Sequence, residues 1–190
     1  MGRSSEKADE ALKSLQKAFP NSTGKLDFIQ VDLANLKTIK PAVEAFQAKE
    51  SRLHVLTNNA GVMFPPKGSK DAQGVELQIG TNCVGPFLLT KLLSPMMADT
   101  AKESEPNTVR VSWAGSLAVD VGSYKPGGMC LDDDGKPLDL GVTTNYGQSK
   151  AGNLYFASES ARRYTDTGVI HVVSSGHLRK RSCVYHAYLG

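Results

Sequence analysis

The chain has 190 residues, a formal net charge of +3, 40% hydrophobic residues and 22% charged residues, which is ordinary for a globular domain with a real core. So small a net charge argues against nucleic acid and membranes as partners, and no apolar run approaches the roughly 18 residues of a membrane span. The three cysteines show neither zinc-ligand spacing nor a disulfide framework, so we expect reduced thiols, no metal site and a cytoplasmic protein.

The first part of the chain alternates helical and strand-like patterns. Apolar residues recur at helical spacing near the start, where Ser4 or Ser5 suits an N-cap, and continuous apolar runs follow. The predicted elements are an amphipathic helix over 5–18, a turn over 20–24, a buried strand over 26–31, a helix over 36–46, a strand over 53–57 and a loop over 65–74.

The alternation continues to residue 173. The predicted elements are a helical stretch over 75–97 interrupted around 80–86, a strand over 109–114, a polar loop over 120–143, a helix over 144–164 and a strand over 169–173. Strands that alternate with helices predict an α/β fold with a doubly wound parallel sheet.

Tyr146 and Lys150 lie four residues apart on the predicted helix over 144–164, so they share one face about one turn apart. A free phenol has a pKa of about 10 and is a poor acid or base at neutral pH. A fixed positive charge nearby lowers that pKa, so this pair could move a proton to or from an alcohol or carbonyl oxygen. The pair alone is a weak signal, because the same spacing occurs on many helix surfaces.

Three further motifs precede the pair. Asn58-Asn59-Ala60-Gly61 ends a strand-like run, Thr81-Asn82-Cys83-Val84-Gly85 lies in an apolar stretch, and a third apolar run ends at Ser116. This order resembles the short-chain dehydrogenase/reductase superfamily over roughly residues 1–173. The segments around 148–154 and 159–163 are most similar to its retinol-dehydrogenase-like branch, particularly the fungal members.

The resemblance implies a role for each catalytic residue. Tyr146 would be the general acid/base, and Lys150 would lower its pKa and hold the nicotinamide ribose. Ser116, at the end of a strand, would hydrogen-bond the substrate oxygen, with Ser112 as the alternative. Asn82 would anchor a proton-relay water; the structural alternative, compatible with it, is a buried Asn that bonds the helix backbone at a kink.

The resemblance also implies a nicotinamide cofactor. Asn59, Ala60 and Gly61 would line the adenosine ribose, where small residues permit close approach. Asp32 would accept from the adenine amino group, unless it is an ordinary turn residue. Arg3 could pair with a 2′-phosphate, which favours NADP over NAD and leaves NAD open.

Residues 1–173 are therefore predicted to form a partial Rossmann-like domain, followed by an unmatched tail over 174–190. The first strand, the glycine-rich loop and most of the second strand of such a fold have no counterpart, so open strand edges are expected. The expected function is an NADP(H)-dependent oxidoreductase for a small-molecule carbonyl or alcohol, with a homodimer as one state. A non-catalytic remnant that acts as an interaction module is the alternative, and the sequence does not identify the substrate.

Overall fold

A computed structural model of the chain describes residues 1–125, 127–174 and the backbone of 184–185. Strands and helices alternate through most of this range, as the apolar patterns predict. The elements are α1 Ser5–Ala18, α2 Ile39–Gln47, β1 Val55–Asn58, α3 Leu77–Ile79, a π-helical segment Gly80–Val84, α4 Gly85–Lys102, β2 Arg110–Ala114, α5 Ala118–Val121, α6 Val142–Arg163, β3 Ile170–Ser174 and β4 Val184–Tyr185. Short 3-10 turns at Leu36–Thr38 and Thr165–Thr167 precede α2 and β3.

The sheet has the order β1-β2-β3-β4, and its first three strands are parallel. Val55 pairs with Arg110, which in turn pairs with Ile170, and the short β4 adds an antiparallel pairing to β3. Helix α4 connects β1 to β2 and helix α6 connects β2 to β3, so each parallel neighbour is reached through a helix. The predicted α/β fold with a parallel sheet is confirmed.

The strand predicted over 26–31 is wrong. These residues form no strand: their backbone makes one isolated parallel bridge, between Gly2 and Gln30, although Val31 packs into the core. The Gly2 N–H donates to the Ile29 carbonyl at 3.2 Å, and the Val31 N–H donates to the Gly2 carbonyl at 2.9 Å. An apolar run becomes a strand only when a neighbour accepts its backbone hydrogen bonds. Within the described residues, β1 pairs with β2 alone, so its other edge is open, as expected.

Two apolar clusters form the core. The first joins α2 and α4 and consists of Val31, Ile39, Ala42, Val43, Leu89 and Leu93. The second surrounds β2 and consists of Met97, Val109, Val111, Trp113, Ala157 and Val173. Trp113 is fully buried, as expected for a core residue. The second cluster fixes β2 against α6, the helix that carries Tyr146 and Lys150.

Two predictions about helices agree with the structure in position. Ser4 is the N-cap of α1, where its hydroxyl accepts from the Lys7 N–H at 3.2 Å. The helix predicted over 5–18 is confirmed as α1, Ser5–Ala18; none of its residues is buried, so its apolar stripe covers no core. The interruption expected around 80–86 is the π-helical segment, which falls on the Asn82 motif. The predicted tail falls almost wholly outside the described residues.

None of the helices described is both long and apolar enough to cross a lipid bilayer.

Candidate active site

Tyr146 and Lys150 share one face of α6, as their spacing predicts. Lys150 is buried, and its Nζ lies 5.6 Å from the centroid of the Tyr146 ring. The ammonium donates to the carbonyl oxygen of Ala114, the last residue of β2, at 3.2 Å. Burial lowers the pKa of Lys150, because a desolvated ammonium is harder to keep charged. The structure thus places a cation beside a half-buried phenol at the carboxyl end of a central strand.

Asn153 helps to hold this lysine in place. Its amide donates to the same Ala114 oxygen at 3.0 Å, and its side chain is buried one turn beyond Lys150. Two donors on one carbonyl fix α6 against the end of β2. Asn153 was not among the predicted site residues. The available signal was a polar residue at core spacing on a helix that packs against the sheet.

Asn82 is buried in the π-helical segment and makes three side-chain hydrogen bonds. Its Oδ1 accepts from the Val62 N–H at 2.7 Å, and its Nδ2 donates to the Val62 carbonyl at 2.8 Å and to Ser149 Oγ at 3.1 Å. The predicted structural role therefore has different partners: the amide bonds the loop after β1 and a residue of α6, and not the backbone of its own helix. Ser149, which sequence reasoning missed, then donates to the Tyr146 carbonyl at 2.8 Å.

Ser116 lies two residues beyond the end of β2, whereas Ser112 is within the strand, opposite Thr57 and Val172. The Ser116 hydroxyl oxygen accepts from the Ala118 N–H at 3.1 Å at the start of α5. That bond uses a lone pair and leaves the O–H free to donate. Because ligands bind beyond the carboxyl ends of strands in open α/β sheets, the position of Ser116 is the more suitable one for a substrate contact.

The five residues predicted to contact only the cofactor line one cleft. A cavity of about 490 Å³ lies between the first residues of the chain and the loop after β1, and its lining includes Arg3, Asp32, Asn59, Ala60 and Gly61. Ala60 and Gly61 project little from the wall of this cavity, so a ligand could come close to their backbone. A Cβ at Gly61 would lie 2.8 Å from Asn82 Oδ1, so this glycine is required where the loop meets the amide.

The cleft fits part of a nicotinamide dinucleotide. A guanidinium, a carboxylate, an exposed amide and small residues are the groups that bind an adenosine with a phosphate on its ribose. Asp32 also accepts from the Ala34 N–H at 3.0 Å, so its turn role is present as well.

Two buried glutamines complete the site and were not predicted. Gln148 accepts from the Cys130 N–H at 2.7 Å and donates to the Leu138 carbonyl at 3.0 Å, which fastens the loop before α6 onto that helix. Gln78 accepts from the Phe64 N–H at 2.9 Å and donates to the Val142 carbonyl at 2.8 Å. Sequence patterns do not indicate such partners, which lie up to 64 residues apart.

Comparison with known proteins agrees with this geometry. The family model for short chain dehydrogenases matches residues 1–121. A short-chain dehydrogenase/reductase of Emericella nidulans, pkfC, is 49% identical over 170 residues, which cover 87% of this chain and 53% of that protein. A short-chain dehydrogenase/reductase of Phomopsis amygdali is 45% identical over 162 residues, which cover 85% of this chain and 48% of that protein. The chain therefore spans about half the length of these curated relatives.

Solved structures share the fold. An NADPH-bound carbonyl reductase from chicken fatty liver superposes with a TM-score of 0.64 at 21% identity, over 90% of this chain and 64% of that one. A metagenomic short-chain oxidoreductase in complex with NADP gives a TM-score of 0.62 at 20% identity, over 86% of this chain and 65% of that one.

The parallel sheet, with the Tyr146–Lys150 pair at its carboxyl edge, defines a Rossmann-like α/β protein. With the family match over residues 1–121, the chain belongs to the short-chain dehydrogenase/reductase superfamily.

Proposed function

We propose that the protein is an NADP(H)-dependent oxidoreductase that interconverts a carbonyl and an alcohol. The observation that carries the proposal is the buried Lys150 ammonium, 5.6 Å from the centroid of the Tyr146 ring and anchored to the end of β2. A cation held there lies beside the negative charge that Tyr146 would carry once it has given up its proton. A buried charge costs free energy, so its retention beside a half-exposed phenol favours a chemical role.

Each side chain has a distinct task in this proposal. A nicotinamide held by Lys150 and the cleft would supply the hydride in the reducing direction, and Tyr146 would give its proton to the carbonyl oxygen. Lys150 stabilises the phenolate that remains. Ser116 donates its hydroxyl to the oxygen as negative charge develops on it. Asn82 fixes the loop after β1 to α6 and so sets the position of Tyr146, in addition to the relay role that the resemblance implies.

The choice of NADP rests on Arg3. This residue is exposed, and it lines both the cleft described above and a second cavity of about 700 Å³ beside Lys37 and Lys49. A basic side chain at this place suits a 2′-phosphate. Fluorescence titration tests the assignment: NADPH is expected to bind more tightly than NADH, and Arg3→Glu is expected to reverse the order. Equal affinities for both nucleotides would refute the role of Arg3.

Substitution of the tyrosine tests the chemistry. Tyr146→Phe is expected to lower carbonyl-reductase activity by roughly 10²–10⁴-fold, the usual contribution of general acid catalysis. Tyr155→Phe is the matched control, because that residue lies on the same helix and is 44% exposed. The mechanism is wrong if activity survives Tyr146→Phe or falls equally in both variants.

A second candidate has its own observation. The edge of β1 that faces away from β2 has no partner strand among the described residues, and a protein that keeps the Tyr146–Lys150 pair could use this edge as an interaction module without turnover. NADPH titration separates the two: saturable binding in the micromolar range supports the oxidoreductase, and no binding supports the module.

The remaining expectations are part of the same proposal. They are a place in the retinol-dehydrogenase-like branch, a cytoplasmic location and a homodimer. For the homodimer, the stacked rings of Phe87 on α4 and Phe156 on α6, 4.3 Å apart, lie beside an exposed face. Light scattering of the purified protein would measure the mass.

A further inference from the structure

The loop after β1 is fixed at two successive points by buried amides. Asn82 bonds both the N–H and the carbonyl of Val62, and Gln78 accepts from the N–H of Phe64. Gln78 is fully buried and also donates to the Val142 carbonyl at the start of α6. The backbone at Phe64 is therefore tied to the same helix that carries Tyr146, so the two residues keep a constant separation.

Phe64 occupies a conformation that its side chain disfavours. Its φ is +53°, in the left-handed region, where a bulky residue that is not glycine is a genuine outlier. Such strain persists only where surrounding contacts impose it, and it concentrates at ligand sites. The ring is also 54% exposed, so it gains little from burial in this fold. Core packing thus does not explain an aromatic residue here.

The exposed ring lies against the proposed catalytic phenol. The centroids of Phe64 and Tyr146 are 5.8 Å apart, with their planes inclined at 59°, a normal tilted aromatic contact. Other large apolar side chains are exposed at the same edge of the sheet: Met63 precedes Phe64, and Leu117 directly follows Ser116 beyond β2. Apolar surface around a few polar groups is typical of a small-molecule pocket.

We propose that Phe64 is a specificity-determining residue whose ring forms the wall of the substrate pocket beside Tyr146. This inference rests on the proposed function and names its substrate class: a ketone or secondary alcohol with an aryl group next to the reacting carbon. An aryl group stacks on the exposed face or edge of the Phe64 ring and buries it, while the oxygen meets Tyr146 and Ser116. A small aliphatic ketone leaves the wall uncovered.

Acetophenone and 2-butanone are suitable probes, because both present a methyl ketone and differ in the second substituent. With NADPH, we expect kcat/KM to favour acetophenone by about tenfold or more, the effect of burying one aromatic pair. Phe64→Ala removes this preference, and Phe64→Trp keeps it. Phe19→Ala is the matched control, since Phe19 is 64% exposed at the end of α1. An unchanged ratio in Phe64→Ala overturns the inference.

Binding measured without turnover separates this inference from the proposed function. Saturation-transfer NMR with acetophenone should show ring contact in the unmodified protein and a loss of it in Phe64→Ala. If that pattern appears without any reduction of acetophenone, the proposed contact of Phe64 with the aryl group is supported and the oxidoreductase proposal fails. If the unmodified protein does not bind acetophenone better than 2-butanone, Phe64 does not form the proposed pocket wall, whatever substrate the enzyme reduces.

Phe64→Gly should also raise the melting temperature, because glycine adopts the left-handed conformation without strain. A lower melting temperature would mean that the Phe64 ring stabilises the fold.

Discussion

Protonation of His171 is expected to destabilise the fold below neutral pH. This residue lies on β3, is 7% exposed, and accepts at Nδ1 from the Trp113 indole N–H at 3.4 Å. Burial lowers the pKa of His171 from 6.5 to about 4, because the charged imidazolium loses its hydration. Protonation at Nδ1 would also remove the acceptor for Trp113.

The sign follows from the lowered pKa. Between pH 6.5 and about 4 the unfolded chain binds a proton at this histidine and the native protein does not, so stability falls as the pH falls through that window. A shift of this size corresponds to about 3 kcal/mol when the window is crossed completely. From pH 7 to pH 5 the loss is about 2 kcal/mol, which lowers a urea midpoint by roughly 1 M.

Urea unfolding at pH 7 and pH 5 measures this loss. His171→Asn keeps an acceptor for Trp113 and cannot titrate, so its midpoint should change less between the two pH values. His54→Gln is the control, because it removes an exposed histidine without touching Trp113 or His171. Equal pH dependence in the unmodified protein and His171→Asn would refute the reasoning. If His171→Asn does not fold, NMR titration of the His171 ring in the unmodified protein gives the pKa directly. A pKa near 6.5 would also refute the reasoning.

Three further outcomes are expected. Lys150→Met should abolish carbonyl reduction without lowering the melting temperature, because it removes a buried charge while Asn153 still satisfies the Ala114 carbonyl; a large fall in melting temperature would contradict this. Gly147→Ala should lower stability by about 1–3 kcal/mol in thermal unfolding, because its Cβ would lie 2.5 Å from the Ser123 backbone nitrogen; unchanged stability would mean that this packing yields freely. Cys83 should resist alkylation at pH 8 in peptide mapping until the protein unfolds, because burial raises the pKa of its thiol to about 12; rapid native labelling would contradict its burial.

The sequence predicted those parts of the site that depend on local periodicity. A spacing of four residues places Tyr146 and Lys150 on one helix face in any α-helix, and the structure has them there. The apolar runs at β1, β2 and β3 also predicted their strands to within two residues. These features follow from the backbone geometry of one segment and need no knowledge of its neighbours.

Features that depend on a partner elsewhere in the chain could not be predicted. Residues 26–31 have the composition of a strand, but among the described residues their backbone bridges to Gly2 alone, so the ladder does not form. The left-handed conformation of Phe64 is imposed by Gln78, fourteen residues away. Neither outcome is encoded in a local pattern, because each requires the hydrogen-bond partner to be known first.

The residues proposed to act in catalysis and those proposed to contact the cofactor are held by different kinds of interaction. Tyr146 and Lys150 are positioned by buried amides that join α6 to the end of β2 and to the loop after β1. Arg3 belongs to the first four residues, which meet residues 29–31 through one isolated bridge and have no strand neighbour among the described residues, whereas the Asp32 N–H donates to Thr38 Oγ1 beside the buried Val31. Buried hydrogen-bond networks give rigidity, whereas an isolated bridge gives little. Cofactor affinity and the geometry for proton transfer can therefore be lost independently. Weak NADPH binding would argue against the cleft as the cofactor site, but it would not argue against proton transfer by the Tyr146–Lys150 pair.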